Sequence, residues 1–254
     1  MGINIAVAGK GGTGKTTLCG LIIRGLIEGG KHPVLALDAD SNSNLNQVLG
    51  VDSINTVGML REQFKKEAPR MDKGMYKDQV VEMNLQQALA ENDKFDLLVM
   101  GRGEGPGCYC YANNLFRKYI DILQDNYSYV VMDNEAGMEH LSRRTTQGID
   151  YLVIVSDPSP RGIMTAARIR DLAGQLELKA SEELLVVNRV NGDLDPRLIK
   201  QVEDSSLKLA AVIGQDEEIM DMDISGQSIF DLSKDNLPLK QVRSLLEQLP
   251  IFSK

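Results

Sequence analysis

The nine residues Gly9-Lys10-Gly11-Gly12-Thr13-Gly14-Lys15-Thr16-Thr17 restrict the possible folds more than any other stretch of the chain. An apolar, β-branched run precedes them at residues 3–8, and residues 18–28 continue with helical periodicity and no proline. Strand, glycine loop and helix in that order form a phosphate cradle. The glycines let backbone N–H groups turn inward around a phosphate, Lys15 reaches the terminal phosphates, and the Thr16 hydroxyl suits Mg²⁺. The helix N-terminus adds its positive dipole end. A plain glycine turn explains neither Lys15-Thr16 at the helix start nor the strand before it. Gly11, Gly12, Thr13, Gly14, Lys15, Thr16 and Thr17 are therefore the expected ATP contacts. Lys10 is additional to the ordinary motif. A second lysine so near the first suits a neighbouring subunit's nucleotide, the role an arginine finger plays elsewhere.

A chain of 254 residues that is 43% hydrophobic can bury a full core, and one α/β domain over residues 1–254 is expected. Apolar runs at 3–8, 33–37, 95–100, 127–132, 151–156, 184–187 and 209–213 predict a mostly parallel central sheet of seven or eight strands, with helices on both faces. Later helices are expected at 80–90, 111–124, 161–176 and 237–249. Residues 51–94 hold no clear strand, and Met59, Met71, Met75 and Met83 within them read as adaptable core filling. A formal net charge of −8 disfavours a broad grip on nucleic acid or on an anionic membrane. No run reaches transmembrane length, and the chain start reads as a strand rather than a signal peptide, so a cytoplasmic protein is expected.

Two strands end on carboxylates, at the sheet edge where α/β folds bind ligands. Asp40 is the candidate that orients the attacking water, and Asp38 suits the magnesium shell, with a helix N-cap as the alternative for Asp38. Asp133 closes the fourth strand as the second magnesium-holding carboxylate. Asn134-Glu135-Ala136-Gly137 follows as a switch segment in which Gly137 lets the chain pivot. The sixth strand ends in Asn188-Arg189, where the amide can donate and accept at once, as an adenine edge requires. The loop and helix that start at Gly214-Gln215-Asp216 are expected to cover the base.

After the third strand comes Gly101-Arg102-Gly103-Glu104-Gly105-Pro106-Gly107-Cys108-Tyr109-Cys110, too rich in glycine and proline for regular structure. Three cysteines in the whole chain make no disulfide framework. Cys108 and Cys110 can present two thiolates to one ion, half of the four that Ni²⁺ or Zn²⁺ commonly takes from sulfur. A twofold axis completes the set from a second chain, and the same homodimer sets Lys10 opposite its partner's phosphates. Inert small hydrophobes and a reversible disulfide are the alternatives, the latter a strained ring at this spacing. Cys19 falls inside the first helix and reads as inert.

The position of Lys10 resembles the deviant Walker A motif of the MinD, ParA and nitrogenase iron-protein class of dimerising ATPases. With Asp38-Ala39-Asp40, Gly105-Pro106-Gly107-Cys108-Tyr109-Cys110 and Asp133-Asn134-Glu135-Ala136-Gly137 added, the chain resembles the CooC/AcsF-type nickel-insertion ATPases over nearly its whole length. Those ATPases mature carbon monoxide dehydrogenase and acetyl-CoA synthase. The resemblance implies ATP hydrolysis with Mg²⁺ and a metal on Cys108 and Cys110 at a nucleotide-controlled dimer interface. It also implies a client nickel enzyme. The other readings are a MinD/ParA-type positioning ATPase and a redox carrier. The nitrogenase iron protein has a cluster cysteine in its second switch, whereas residues 133–140 here have none. A MinD-like membrane tail is also disfavoured, because residues 237–249 hold only Lys240 and Arg243 as basic residues, so packing on the sheet is expected.

Overall fold

A computed structural model describes residues 2–40, 44–52, 54–67, 77–101, 120–134, 148–178 and 180–250. Its strands are β1 (Ile3–Gly9), β2 (Val34–Asp38), β3 (Leu89–Glu91), β4 (Asp96–Val99), β5 (Tyr129–Asp133), β6 (Ile149–Ser156), β7 (Ala180–Val190) and β8 (Leu209–Gly214). They form one eight-stranded sheet in the order β3-β4-β2-β5-β1-β6-β7-β8. Every pairing is parallel except β3 with β4. Helices α1 (Lys15–Glu28), α2 (Leu45–Leu49), α3 (Val57–Glu67), α4 (Lys77–Ala88), α5 (Pro160–Gln175), α6 (Pro196–Asp204), α7 (Glu217–Ser225) and α8 (Leu237–Gln248) surround it, and residues 120–124 are also helical.

The continuous apolar strands follow from burial on both faces. Successive side chains alternate across the sheet, so Ala6 and Ala8 of β1 pack on one face with Ile163, Ala166 and Ile169 of α5 and Leu198 of α6. Ile5 and Val7 pack on the other with Leu18, Ile22 and Leu26 of α1 and Val242 and Leu246 of α8. Helix starts are written locally. Ser159 caps α5 by accepting from Gly162 N at 3.0 Å, Asp195 caps α6 by accepting from Arg197 N at 2.8 Å, and a proline follows each cap.

The expected sheet and its mostly parallel strands are present, helices α3 and α6 are additional to those expected, and other details differ. The helix expected over 80–90 stops at Ala88, and Leu89–Glu91 forms an antiparallel edge strand in a region read as lacking one. Its register, Leu89↔Leu98 and Glu91↔Asp96, shows the reason: the open edge of β4 offers backbone partners that outweigh helical propensity. The strand expected at 184–187 runs from Ala180 to Val190, because β6 supplies partners from Ile149 onward and β8 pairs Gly214 with Val190. Met59 on α3 and Met83 on α4 are exposed rather than core-filling, and Met71 and Met75 lie outside the described residues. The final helix packs against α1 and β8, burying Leu239, Val242, Leu245 and Leu246. No helix among the described residues is long and apolar enough to cross a membrane.

Candidate functional site

The sheet sets β1 between β5 and β6, so the loop that leaves its C-terminal end is flanked by the carboxylate strands on one side and β7 on the other. The loop holds its shape through its own backbone. Thr13, almost fully buried, donates its hydroxyl to the Lys10 carbonyl at 2.8 Å, and Lys15 reaches the same oxygen with Nζ at 3.4 Å. Gly12 and Gly14 take left-handed φ values of 83° and 84°. Gly14 also needs to lack a side chain, because a Cβ there would come within 2.5 Å of Asn188 Nδ2. As the residue before α1, Gly14 offers no side-chain cap, and the first turn has no acidic residue. The helix therefore presents its opening N–H groups and positive dipole end to an anion.

Asp133 and Asp38 are register partners at the ends of adjacent strands β5 and β2, and both are buried. Neither Asp133 carboxylate oxygen meets a donor at hydrogen-bonding geometry among the described residues. Burial pushes its pKa up to about 6, with the nearby Thr16 hydroxyl and Lys15 ammonium pulling the other way. A buried carboxylate without a protein donor, beside a hydroxyl, is an oxygen set that fits a hydrated Mg²⁺. Asp38 is different, because each of its oxygens already accepts a backbone N–H. Oδ1 takes Asp40 N and Oδ2 takes Leu45 N, both at 3.0 Å. It thereby fastens the start of α2 to the strand end, although the cap position of α2 is Asn44. Burial raises its pKa to about 7, against those two N–H bonds and with the help of the Asp133 charge.

On the other side of the loop, Asn188 is buried at the end of β7 and donates Nδ2 to the Thr13 carbonyl at 2.8 Å. Arg189, in a left-handed conformation at φ 60°, donates Nη1 to the Gly12 carbonyl at 2.8 Å. Both residues expected at the nucleotide are thus fastened to the phosphate loop. Asn188 keeps its carbonyl and its second N–H for a ligand. A cavity of about 370 Å³ opens beside them, lined by Gly14, Thr17, Leu21, Asn188, Ile213 and Gln215 among others, a size and mixed polarity suited to a nucleoside. Asp216, as the cap of α7, accepts from Ile219 N at 3.1 Å and so shapes the wall expected to cover the base.

Lys10 and Asp40 stand at the solvent side of this arrangement, Lys10 exposed and Asp40 half-buried. Cys108, Cys110 and Gly137 lie outside the described residues. Among those described, no cluster of histidine, cysteine and carboxylate side chains is placed to hold a metal ion, and Cys19 is buried within α1. The sequence places Asn134 in the switch segment but gives its buried side chain no role of its own. Asn134 donates Nδ2 to the carbonyls of Val7 at 3.2 Å and Met132 at 3.1 Å, and so pins the start of the second switch to the phosphate-loop strand. Its only sequence signal is its position after a strand-terminal aspartate.

Residues 5–229 match the CobQ/CobB/MinD/ParA nucleotide binding domain. An uncharacterized ATP-binding protein of Methanocaldococcus jannaschii is 40% identical over 247 residues, covering 96% of this chain and 97% of its own. The carbon monoxide dehydrogenase accessory protein CooC of Rhodospirillum rubrum is 32% identical over 243 residues, covering 91% and 90%. The fold is that of the cell division ATPase MinD of Pyrococcus furiosus, with a TM-score of 0.70, 22% identity and coverage of 97% and 98%. The phosphate loop, the buried aspartate at the end of β5 and this likeness along nearly the full length agree: the chain belongs to the CobQ/CobB/MinD/ParA nucleotide-binding family and is a P-loop ATPase.

Proposed function

We propose that the protein is an ATP-dependent metallochaperone: a homodimer that carries Ni²⁺, or Zn²⁺ in its place, on Cys108 and Cys110 of both chains and delivers it to a nickel enzyme. Carbon monoxide dehydrogenase and acetyl-CoA synthase are the client class. The observation that carries this reading is the match to CooC, a carbon monoxide dehydrogenase accessory protein, over nine tenths of both chains, in a sequence that joins Lys10 to a Cys-x-Cys pair.

In this reading Lys15 and the first N–H groups of α1 hold the phosphates, while the cavity beside Asn188 holds the nucleoside. Thr16 and Asp133 would hold Mg²⁺, which neutralises charge on the terminal phosphates when bound. Asp40 orients the attacking water. Lys10, exposed on the loop, reaches across a dimer to the partner's phosphates, so nucleotide state and association are one event. Hydrolysis removes that bridge and loosens the grip of four thiolates on the ion.

Equilibrium dialysis with Ni²⁺ tests the site. One ion per dimer is expected for the native protein, and loss of that binding in the Cys108→Ala/Cys110→Ala variant. Retention of one tightly held nickel by the variant would refute the assignment. A positioning switch is the second reading, favoured by the 25% identity over 232 residues to the septum site-determining protein MinD of Bacillus subtilis. Co-sedimentation with DNA or anionic vesicles in the presence of ATP separates the two. The net charge of −8 favours no binding to either.

A further inference from the structure

Two walls of the nucleoside cavity come from distant parts of the chain: α1 supplies Thr17, Leu18 and Leu21, and the junction of β8 with α7 supplies Ile213, Gly214 and Gln215, while Asn188 and Arg189 of β7 line it as well. Helix α8 contributes no lining residue, yet it is bonded to both walls. Gln241 Oε1 accepts the Gly214 N–H at 2.9 Å. Asn236, the buried cap of α8, donates Nδ2 to Asp216 Oδ1 at 2.9 Å, the same oxygen that starts α7. On the α1 side, Arg243 pairs with Glu28, which also pairs with Arg24. Leu246 packs so closely on Gly25 that a Cβ there would come within 2.8 Å of its Cδ1.

The Gln241 contact answers a local need. Gly214 ends β8 at an irregularity in its pairing with β7, and the next amide, Gln215 N, is the one that reaches Val190 O, at 2.9 Å. The side chain of Gln241 supplies the acceptor for the Gly214 N–H that a neighbouring strand would otherwise provide. We propose that Gln241 is a positioning residue for nucleotide binding: through Gly214 it fixes the wall of the nucleoside cavity at the distance from α1 that α8 sets. It touches no reacting atom. Its removal loosens the wall and weakens affinity without changing the chemical step.

The test compares Gln241→Leu with Gln241→Glu, reading KM for ATP, kcat, the dissociation constant for ADP and the melting midpoint without nucleotide. Glutamate keeps an acceptor oxygen for the Gly214 N–H, and leucine does not. Loss of one such bond corresponds to a rise of about five- to tenfold in KM and in the ADP constant, with kcat unchanged in the leucine variant and near-native values for the glutamate variant. Unchanged KM in Gln241→Leu overturns the proposal, whatever its melting midpoint. Equal impairment of both variants overturns it as well. Should the leucine variant not fold, Gln241→Asn carries the same expectation, since its amide is one methylene too short to reach Gly214.

Discussion

The side-chain amide of Asn188 donates to the carbonyl of Thr13 over 2.8 Å, so the end of β7 holds the phosphate loop directly over the start of α1. This contact leaves no room at the neighbouring position, where a Cβ on Gly14 would collide with Asn188 Nδ2.

Replacement of Gly14 by alanine is therefore expected to weaken nucleotide binding severely. The left-handed backbone costs a β-carbon about 1–2 kcal/mol, and displacing the Asn188 contact adds about 1–3 kcal/mol. Together, at about 2–5 kcal/mol, these correspond to a loss of about thirtyfold or more, read by isothermal titration with ADP. Near-native affinity would show that the loop tolerates a side chain that its geometry excludes.

Lys15 and Asp40 divide binding from chemistry. Lys15→Ala removes the ammonium from the centre of the loop, and nucleotide binding and turnover are both expected to be lost. Asp40→Ala should keep ADP affinity within about threefold and lower kcat by about 10²-fold, the usual scale for a group that positions or activates a nucleophile. A normal turnover rate in that variant would remove Asp40 from the mechanism.

Lys10 is exposed, and its ammonium has no partner among the described residues, so Lys10→Ala is expected to fold and melt like the native protein. Under the proposed dimer it should still bind nucleotide, while ATP-dependent association, read by analytical ultracentrifugation, and turnover both fall. Unaltered association would separate this lysine from the dimer interface.

The paired carboxylates predict an unusual pH dependence without nucleotide. Both folded-state values, about 7 for Asp38 and about 6 for Asp133, lie above the ordinary 3.8. Between those limits these two carboxyls bind more protons in the folded chain than in the unfolded one, so their contribution to stability is fully present below about pH 4 and is lost as pH rises through about 7. Neither Asp133 oxygen has a partner at hydrogen-bonding geometry among the described residues, so Asp133→Asn forfeits only the weaker pull of Thr16, Lys15 and Cys19 on the carboxylate. It is expected to raise the melting midpoint above pH 6 by removing a penalty on the order of 3 kcal/mol, and to abolish Mg²⁺-dependent turnover. Thermal melts from pH 4.5 to 8 check both, and a destabilised variant at pH 8 would contradict the burial argument.

The architecture was largely legible because its signals are local. The glycine loop, the apolar strands and the leucine face of the last helix each act within a few residues. Edge strand β3 was not legible, since Leu89–Glu91 becomes a strand only because β4 offers it an open edge. The length of β7 was set in the same way by β6 and β8.

The chain's sequence by itself determined the class of machine: a phosphate loop in strand-loop-helix context, two aspartates closing strands, and a lysine beyond the ordinary motif. Only the tertiary structure decided what each polar group does there. It left Asp133 buried without a donor at hydrogen-bonding geometry among the described residues, tied Asp38 to the start of α2, and bent Asn188 onto the loop. It also brought Gln241 to Gly214 from a helix that lines no part of the cavity. The physical reason is that residue type and spacing fix backbone preference locally, whereas desolvation and hydrogen-bond partners depend on segments that meet only when the sheet assembles.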